Sequence, residues 1–131
     1  YNVYGKRQIE TGEMATVIGI FQHQYKKKIP LSVVKPGTQK RRFTHISDSI
    51  DVCLEAMNSN KQKHYSISHK ESYSIIDVAN MFNSRIRLLP ARKGERYASA
   101  LTKMSLNNKI IRRYGKKSLK DYIRSFIKDQ I

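Results

Sequence analysis

The apolar residues of this chain change period repeatedly along its length, and that alternation most limits what it can fold into. Short runs such as Leu31–Val34 give way to stretches where apolar residues recur at helical spacing. Residues 1–4 read as a short strand ending at Gly5. Met14, Val17, Ile18, Phe21 and Tyr25 then share one helical face. That helix must stop before Ile29-Pro30, because proline disfavours α geometry in the residue preceding it. Leu31–Val34 reads as a strand, Pro36-Gly37-Thr38 as a turn, and residues 43–46 as a second short strand.

Ser47 is expected to cap a helix with Ile50, Cys53, Leu54 and Met57 on one face. A strand is expected over 64–67. Ser74-Ile75-Ile76-Asp77 spells a capping box with Asp in place of Glu, opening a helix with Ile75, Val78, Ala79 and Phe82 inward. Ile86 and Leu88 alternate with Arg85 and Arg87 in a strand that halts at Pro90. A basic loop over 91–100 and a short helix over about 102–111 follow. Ser118 then caps a last helix lined by Leu119, Tyr122, Ile123, Phe126 and Ile127. Strands and helices interleave throughout. The fold class is therefore α/β, a small mixed sheet with several helices, in one domain over 1–131.

The chain has 131 residues, with 26 Lys and Arg against 10 Asp and Glu, a formal charge of +16. Such a field attracts anions, so phosphate-bearing metabolites, acidic lipid and nucleic acid are the partners it admits. A basic nucleic-acid-binding domain is the alternative reading, supported by Tyr25, Tyr97 and Tyr114 interleaved with Lys and Arg. Against it, the basic residues are spread along the chain rather than gathered on one element, and no nucleic-acid motif is present.

Cys53 is the single cysteine, so no intrachain disulfide can form and a reducing, cytoplasmic compartment is expected. Its place on an apolar stripe predicts a buried structural thiol. No apolar run reaches transmembrane length, and no membrane partner is expected. His23, His45, His64 and His69 lack zinc-site spacing, and no metal site is read. The opening at Tyr1, with the first methionine at Met14, reads as part of a longer protein.

No glycine-rich loop joins a strand to a helix, and no tyrosine is followed at helical spacing by a lysine that could form a reductase-type pair. No catalytic residue and no cofactor-binding residue is assigned. What stands out is arginine placed after strands, in Lys40-Arg41-Arg42-Phe43 and in Pro90-Ala91-Arg92-Lys93-Gly94-Glu95-Arg96. A guanidinium binds phosphate through two parallel hydrogen bonds, so two such loops converging would clamp a diphosphate. Taken alone, basic loops are more often solvated.

Three segments in order carry a resemblance. They are Asn2-Val3-Tyr4-Gly5-Lys6-Arg7-Gln8, then Gly37-Thr38-Gln39-Lys40-Arg41-Arg42-Phe43-Thr44-His45-Ile46-Ser47-Asp48, then Pro90-Ala91-Arg92-Lys93-Gly94-Glu95. Together they resemble the second half of the extended short-chain dehydrogenase/reductases, the nucleotide-sugar epimerases and dehydratases, over nearly the whole chain.

The resemblance implies the substrate-binding portion of such an enzyme without its Rossmann domain. It places Asn2 beside the substrate's diphosphate and sugar, with Arg41 and Arg92 on the nucleotide phosphates. It also puts Glu95 near the ribose, Phe43 near the nucleotide, and the strand Leu31–Val34 beside the base. It further implies NAD(P) in a full-length enzyme, with no cofactor held by this chain. The partners it implies are a nucleotide sugar and either a cofactor domain or a second copy covering the stripe from Ile50 to Met57. The sequence departs from the family where Arg42 replaces a common acid, which leaves the register open to either arginine. Lys6 replaces a frequent proline, and the leucine–glycine pair expected before the last helix is not visible near residues 110–113.

Overall fold

The computed structural model describes residues 2–59, 65, 67–94 and 115–131. The elements run β1 (Val3–Tyr4), α1 (Val17–Lys26), β2 (Leu31–Val34), β3 (Lys40–Arg42), β4 (Thr44–His45), α2 (Ile46–Ser59), β5 (Ser72–Ser74), α3 (Ile75–Asn80), β6 (Ile86–Leu89) and α4 (Leu119–Lys128). The α/β class and its mixed pairing are as expected. Among the described residues the pairing is divided among three two-stranded ladders: β1 with β4 and β2 with β6, both parallel, and β3 with β5 antiparallel.

Local signals explain most element ends. Thr16 caps α1, its hydroxyl accepting the Gly19 N–H at 3.0 Å. Met14 therefore falls outside the helix and is 77% exposed, whereas Ile18 and Phe21 are buried. The helix closes ahead of Ile29-Pro30, as expected. The capping box at Ser74 is complete. The Asp77 N–H donates to the Ser74 hydroxyl at 3.1 Å, and the Ser74 N–H donates back to the Asp77 carboxylate at 3.0 Å. Ser118 caps α4 through the Asp121 N–H at 3.4 Å.

Leu31 and Val33 of β2 are fully buried and join Phe21, Val78, Phe82, Leu119 and Ile123 in one core. Phe82 meets Phe21 edge-to-face at 6.0 Å and Phe126 at 6.1 Å, an arrangement the ring quadrupoles favour. After β2 the chain turns at Gly37, whose φ is 72°. A side chain there would sit 2.7 Å from Val33 Cγ1, so both backbone and packing call for glycine.

Two expectations about α2 are corrected. Ser47 is not its cap. The helix begins at Ile46, and the imidazole of His45 takes the capping role, its Nδ1 accepting the Ser47 N–H at 3.2 Å. Cys53 is not a buried thiol but exposed. Asp48 and Val52 form the buried face of α2, while Ile50 and Leu54 are 51% exposed and Met57 is 79% exposed. The stripe that reads as a core face is an uncovered one.

The strand expected over 64–67 is not there at Tyr65 or Ile67, and residues 64 and 66 lie outside the described residues. The strand that pairs is β5, unmarked by alternation, since its polar Ser72 and Ser74 flank Tyr73. The helix expected over 102–111 also lies outside the described residues. No helix among the described residues is long and apolar enough to cross a membrane.

Candidate functional site

The segment from Gln39 to Phe43 is extended, so alternate side chains face opposite ways. Gln39, Arg41 and Phe43 all line a cleft of about 360 Å³. Asn2, reaching in ahead of β1, and Arg92, following β6, line it too. Four of the five residues singled out in the sequence thus meet around one space. The fifth, Glu95, lies outside the described residues.

Arg42 points elsewhere. Its guanidinium donates to the carbonyl oxygen of His69 at 3.3 Å and to that of Lys70, pinning the segment before β5. Strand alternation therefore removes the ambiguity between the two arginines: Arg41 is the one at the cleft. Its Nη1 donates to the carbonyl of Lys40 at 3.0 Å, and among the described residues it forms no ion pair. Arg92 is exposed and likewise unpaired with any described carboxylate. With no carboxylate counter-charge among the described residues, the two guanidiniums keep donors available to an anion.

Asn2 adopts φ 45°, a left-handed conformation that asparagine tolerates better than most residues. Its Nδ2 donates to the Arg42 carbonyl at 2.8 Å, while its own carbonyl accepts the Thr44 N–H at 3.3 Å. These bonds tie the start of the chain to the strand that carries the arginine. The local effect is structural, and it sets Asn2 at the rim beside Arg41.

The far wall is β2. Leu31 and Val33 turn into the core, and Ser32 and Val34 line the cleft. The Leu31 N–H donates to Arg85 and the Lys35 N–H to Leu89, so the odd positions serve β6. The even positions face the other edge. There Gln24 clasps Ser32, accepting its N–H at 2.9 Å and donating to its hydroxyl at 2.7 Å. Val17, Ile20 and Phe21 from α1 add an apolar floor. The described lining carries two guanidiniums and no carboxylate, imidazole, thiol or phenol. Such a lining suits an anion beside an apolar and aromatic surface.

Gln39 was not singled out by the sequence reading. The signal that could have found it is the period-two step back from Arg41.

A second polar cluster lies around His45. Its ring packs edge-to-face on Tyr4 at 5.3 Å and on Tyr122 at 5.7 Å. The Tyr4 hydroxyl donates to the Lys117 carbonyl at 3.1 Å, and the Lys117 N–H donates to the Asp48 carboxylate at 3.2 Å. Burial lowers the His45 pKa from its ordinary value, Asp48 opposing the shift and Lys117 adding to it. The same burial raises the Tyr4 pKa well above the usual phenol range. This network joins β1, β4, α2 and α4, and it is a structural one.

Residues 1–68 match the model of the NAD dependent epimerase/dehydratase family. Over 80 residues the chain is 31% identical to UDP-glucuronic acid decarboxylase 3 of Arabidopsis thaliana, covering 60% of this chain and 22% of that protein. Its fold is similar to that of UDP-glucose 4-epimerase from Thermotoga maritima, solved with UDP-glucose. There the TM-score is 0.79 at 21% identity, over 97% of this chain and 42% of that one. UDP-glucuronic acid 4-epimerase from Bacillus cereus, solved with UDP-glucuronic acid and NAD, gives a TM-score of 0.74 at 24% identity, over 99% and 44%. The chain therefore spans less than half the length of these relatives.

Proposed function

The chain belongs to the NAD dependent epimerase/dehydratase family, and from that premise we propose that it is the nucleotide-sugar-binding portion of such an enzyme, not catalytic alone. The observation that carries the reading is the convergence of Arg41 and Arg92 on one cleft with Asn2 and Phe43. In this reading the two guanidiniums clamp the diphosphate from opposite walls. Phe43 and the cleft-facing edge of β2 flank the nucleoside, and Asn2 sits where sugar and diphosphate meet. Supporting it, the named relatives are a UDP-sugar decarboxylase and UDP-sugar epimerases.

NAD belongs, in this reading, to the full-length enzyme, where it would supply hydride transfer. Gly5 and Gly19 do not fit a cradle for it. A side chain at Gly5 would meet Ile46, and one at Gly19 would meet the Ile9 carbonyl, so both serve close packing of protein on protein. No step of the reading runs through the cofactor on this chain. The uncovered stripe of α2 is assigned to contact with a cofactor domain or with a second copy of the chain.

The test is calorimetric titration with UDP, UDP-glucose and UDP-glucuronic acid. Binding at micromolar to millimolar Kd, weakened about tenfold or more by Arg41→Ala and by Arg92→Ala, is the expected result. No heat and no change in melting temperature with any of the three ligands overturns the reading.

A further inference from the structure

Gln39 is 5% exposed, lines the cleft, and leaves its Oε1 buried with no hydrogen-bond partner among the described residues. Among the described residues one other buried side-chain atom, Arg42 Nε, is likewise unserved, and its residue does not line the cleft. Gln22 accepts from Gln8 at 2.5 Å and donates to the Tyr122 hydroxyl at 3.3 Å. Asp48 accepts the Lys117 N–H, and the Ser74 hydroxyl accepts the Asp77 N–H. A buried acceptor without a donor lowers stability, and native interiors hold few of them. One sited at a ligand cleft therefore points to a donor that arrives with the ligand.

The position says which donor. Gln39 precedes Arg41 by two residues on the same face, a step of about 6.7 Å along extended backbone. A group that reaches Gln39 while Arg41 holds a phosphate lies about one sugar ring from that phosphate. The side chain's last torsion is broad and soft, so a turn of the amide brings the oxygen to the cleft wall without moving the backbone. A sugar ring offers hydroxyl donors, and the Gln39 carbonyl is an acceptor.

We propose that Gln39 is a specificity-determining residue, its amide carbonyl accepting a hydrogen bond from a ring hydroxyl adjacent to the diphosphate, on the ribose or on the transferred sugar. The assignment rests on the nucleotide-sugar reading above. It makes the cleft select sugar-bearing diphosphates over diphosphate alone, a discrimination that the arginines do not supply.

The experiment compares the parent chain with Gln39→Met by calorimetric titration of inorganic pyrophosphate, UDP, 2′,3′-dideoxyuridine diphosphate and UDP-glucose. Pyrophosphate affinity should be unchanged and UDP-glucose affinity should fall about tenfold. If UDP also falls while its dideoxy analogue does not, the donor is on the ribose. If only UDP-glucose falls, it is on the hexose. An equal fall for UDP and the dideoxy analogue overturns the proposal, since neither sugar's hydroxyl would then be read. So does an unchanged affinity for every ligand; Arg41→Ala weakening UDP in that same series would leave the phosphate reading standing. Failure of the parent chain to bind UDP and pyrophosphate removes both readings. The melting temperature of Gln39→Met should rise by about 3 °C, because an unserved buried acceptor is gone. A fall would mark Gln39 as a structural residue instead and overturn the assignment.

Discussion

Arg41 and Arg42 are adjacent in β3 and face opposite ways, Arg41 lining the cleft and Arg42 donating to the carbonyls of His69 and Lys70. If the proposed function holds, the pair separates recognition from scaffolding within two residues. Arg41→Ala should weaken UDP-sugar binding about tenfold or more and leave the melting temperature within about 2 °C of the parent. Arg42→Ala should cost about 1.5–3 kcal/mol of stability, because charge-assisted bonds to two carbonyls are lost. Chemical denaturation and titration of the two variants side by side check this. The outcome that sinks it is Arg42→Ala losing binding while keeping full stability.

In the proposed reading Arg92, in the segment after β6, forms the other half of the clamp. If both arginines grip one diphosphate, Arg92→Ala should erase most of the preference for UDP over UMP. The double variant should lose less than the sum of the two single losses, because groups sharing a ligand do not act independently. Strictly additive losses in a double-mutant cycle would place the two guanidiniums on separate anions.

Stability should fall as the pH drops below about 6.5. His45 has a lowered pKa through burial, so as the pH drops the unfolded chain takes up the proton before the folded one. The contribution is therefore fully present above the unfolded value of 6.5 and is lost on acidification through it. Thermal melts across this range should show a sloping Tm, and His45→Gln should flatten the slope. The lowered pKa of Asp77, held down mainly by its hydrogen bonds to Ser74, acts only nearer the carboxylate range and does not confuse the window.

The capping box and the aromatic core test the fold itself. Ser74→Ala should cost about 1 kcal/mol, since the Asp77 N–H in the first turn of α3 loses its acceptor. Phe82→Ala should cost about 3–5 kcal/mol, because the fully buried ring leaves a cavity among Phe21, Tyr25 and Phe126. Urea denaturation ranks the two, and a larger loss at Ser74 than at Phe82 contradicts this account of the core.

The exposed face of α2 should drive association. Ile50, Leu54 and Met57 form an apolar stripe on one helix, and such a patch favours self-contact. Light scattering of the chain should show mass rising with concentration, and Leu54→Glu should return it to the monomer mass. A parent chain that stays monomeric at high concentration counts against a second copy as the cover for this face.

Much of the fold was legible because its signals are local. Thr16, Ser74 and Ser118 act on donors three residues away, and the apolar spacing of α1 and α4 is set within a turn or two. The family was legible for a related reason. Three short segments in order carried the resemblance, and the match over residues 1–68 bears it out. The gathering of Asn2, Arg41, Phe43 and Arg92 could be expected only through that resemblance, since residue spacing does not fix which loops converge.

What the residues could not decide depends on which surface meets which. The apolar stripe of α2 has the period of a core face, yet Asp48 and Val52 are buried because the Lys117 N–H and the rest of the fold lie on that side. Polar β5 became a strand because β3 offered it a ladder, and Arg42 became a strut because two carbonyls reached it. Gln39 was left without a partner for the complementary reason: nothing in the described fold presents a donor there. Spacing along the chain sets periodicity and caps, whereas long-range pairing is settled only when distant segments compete for the same hydrogen bonds and the same buried space.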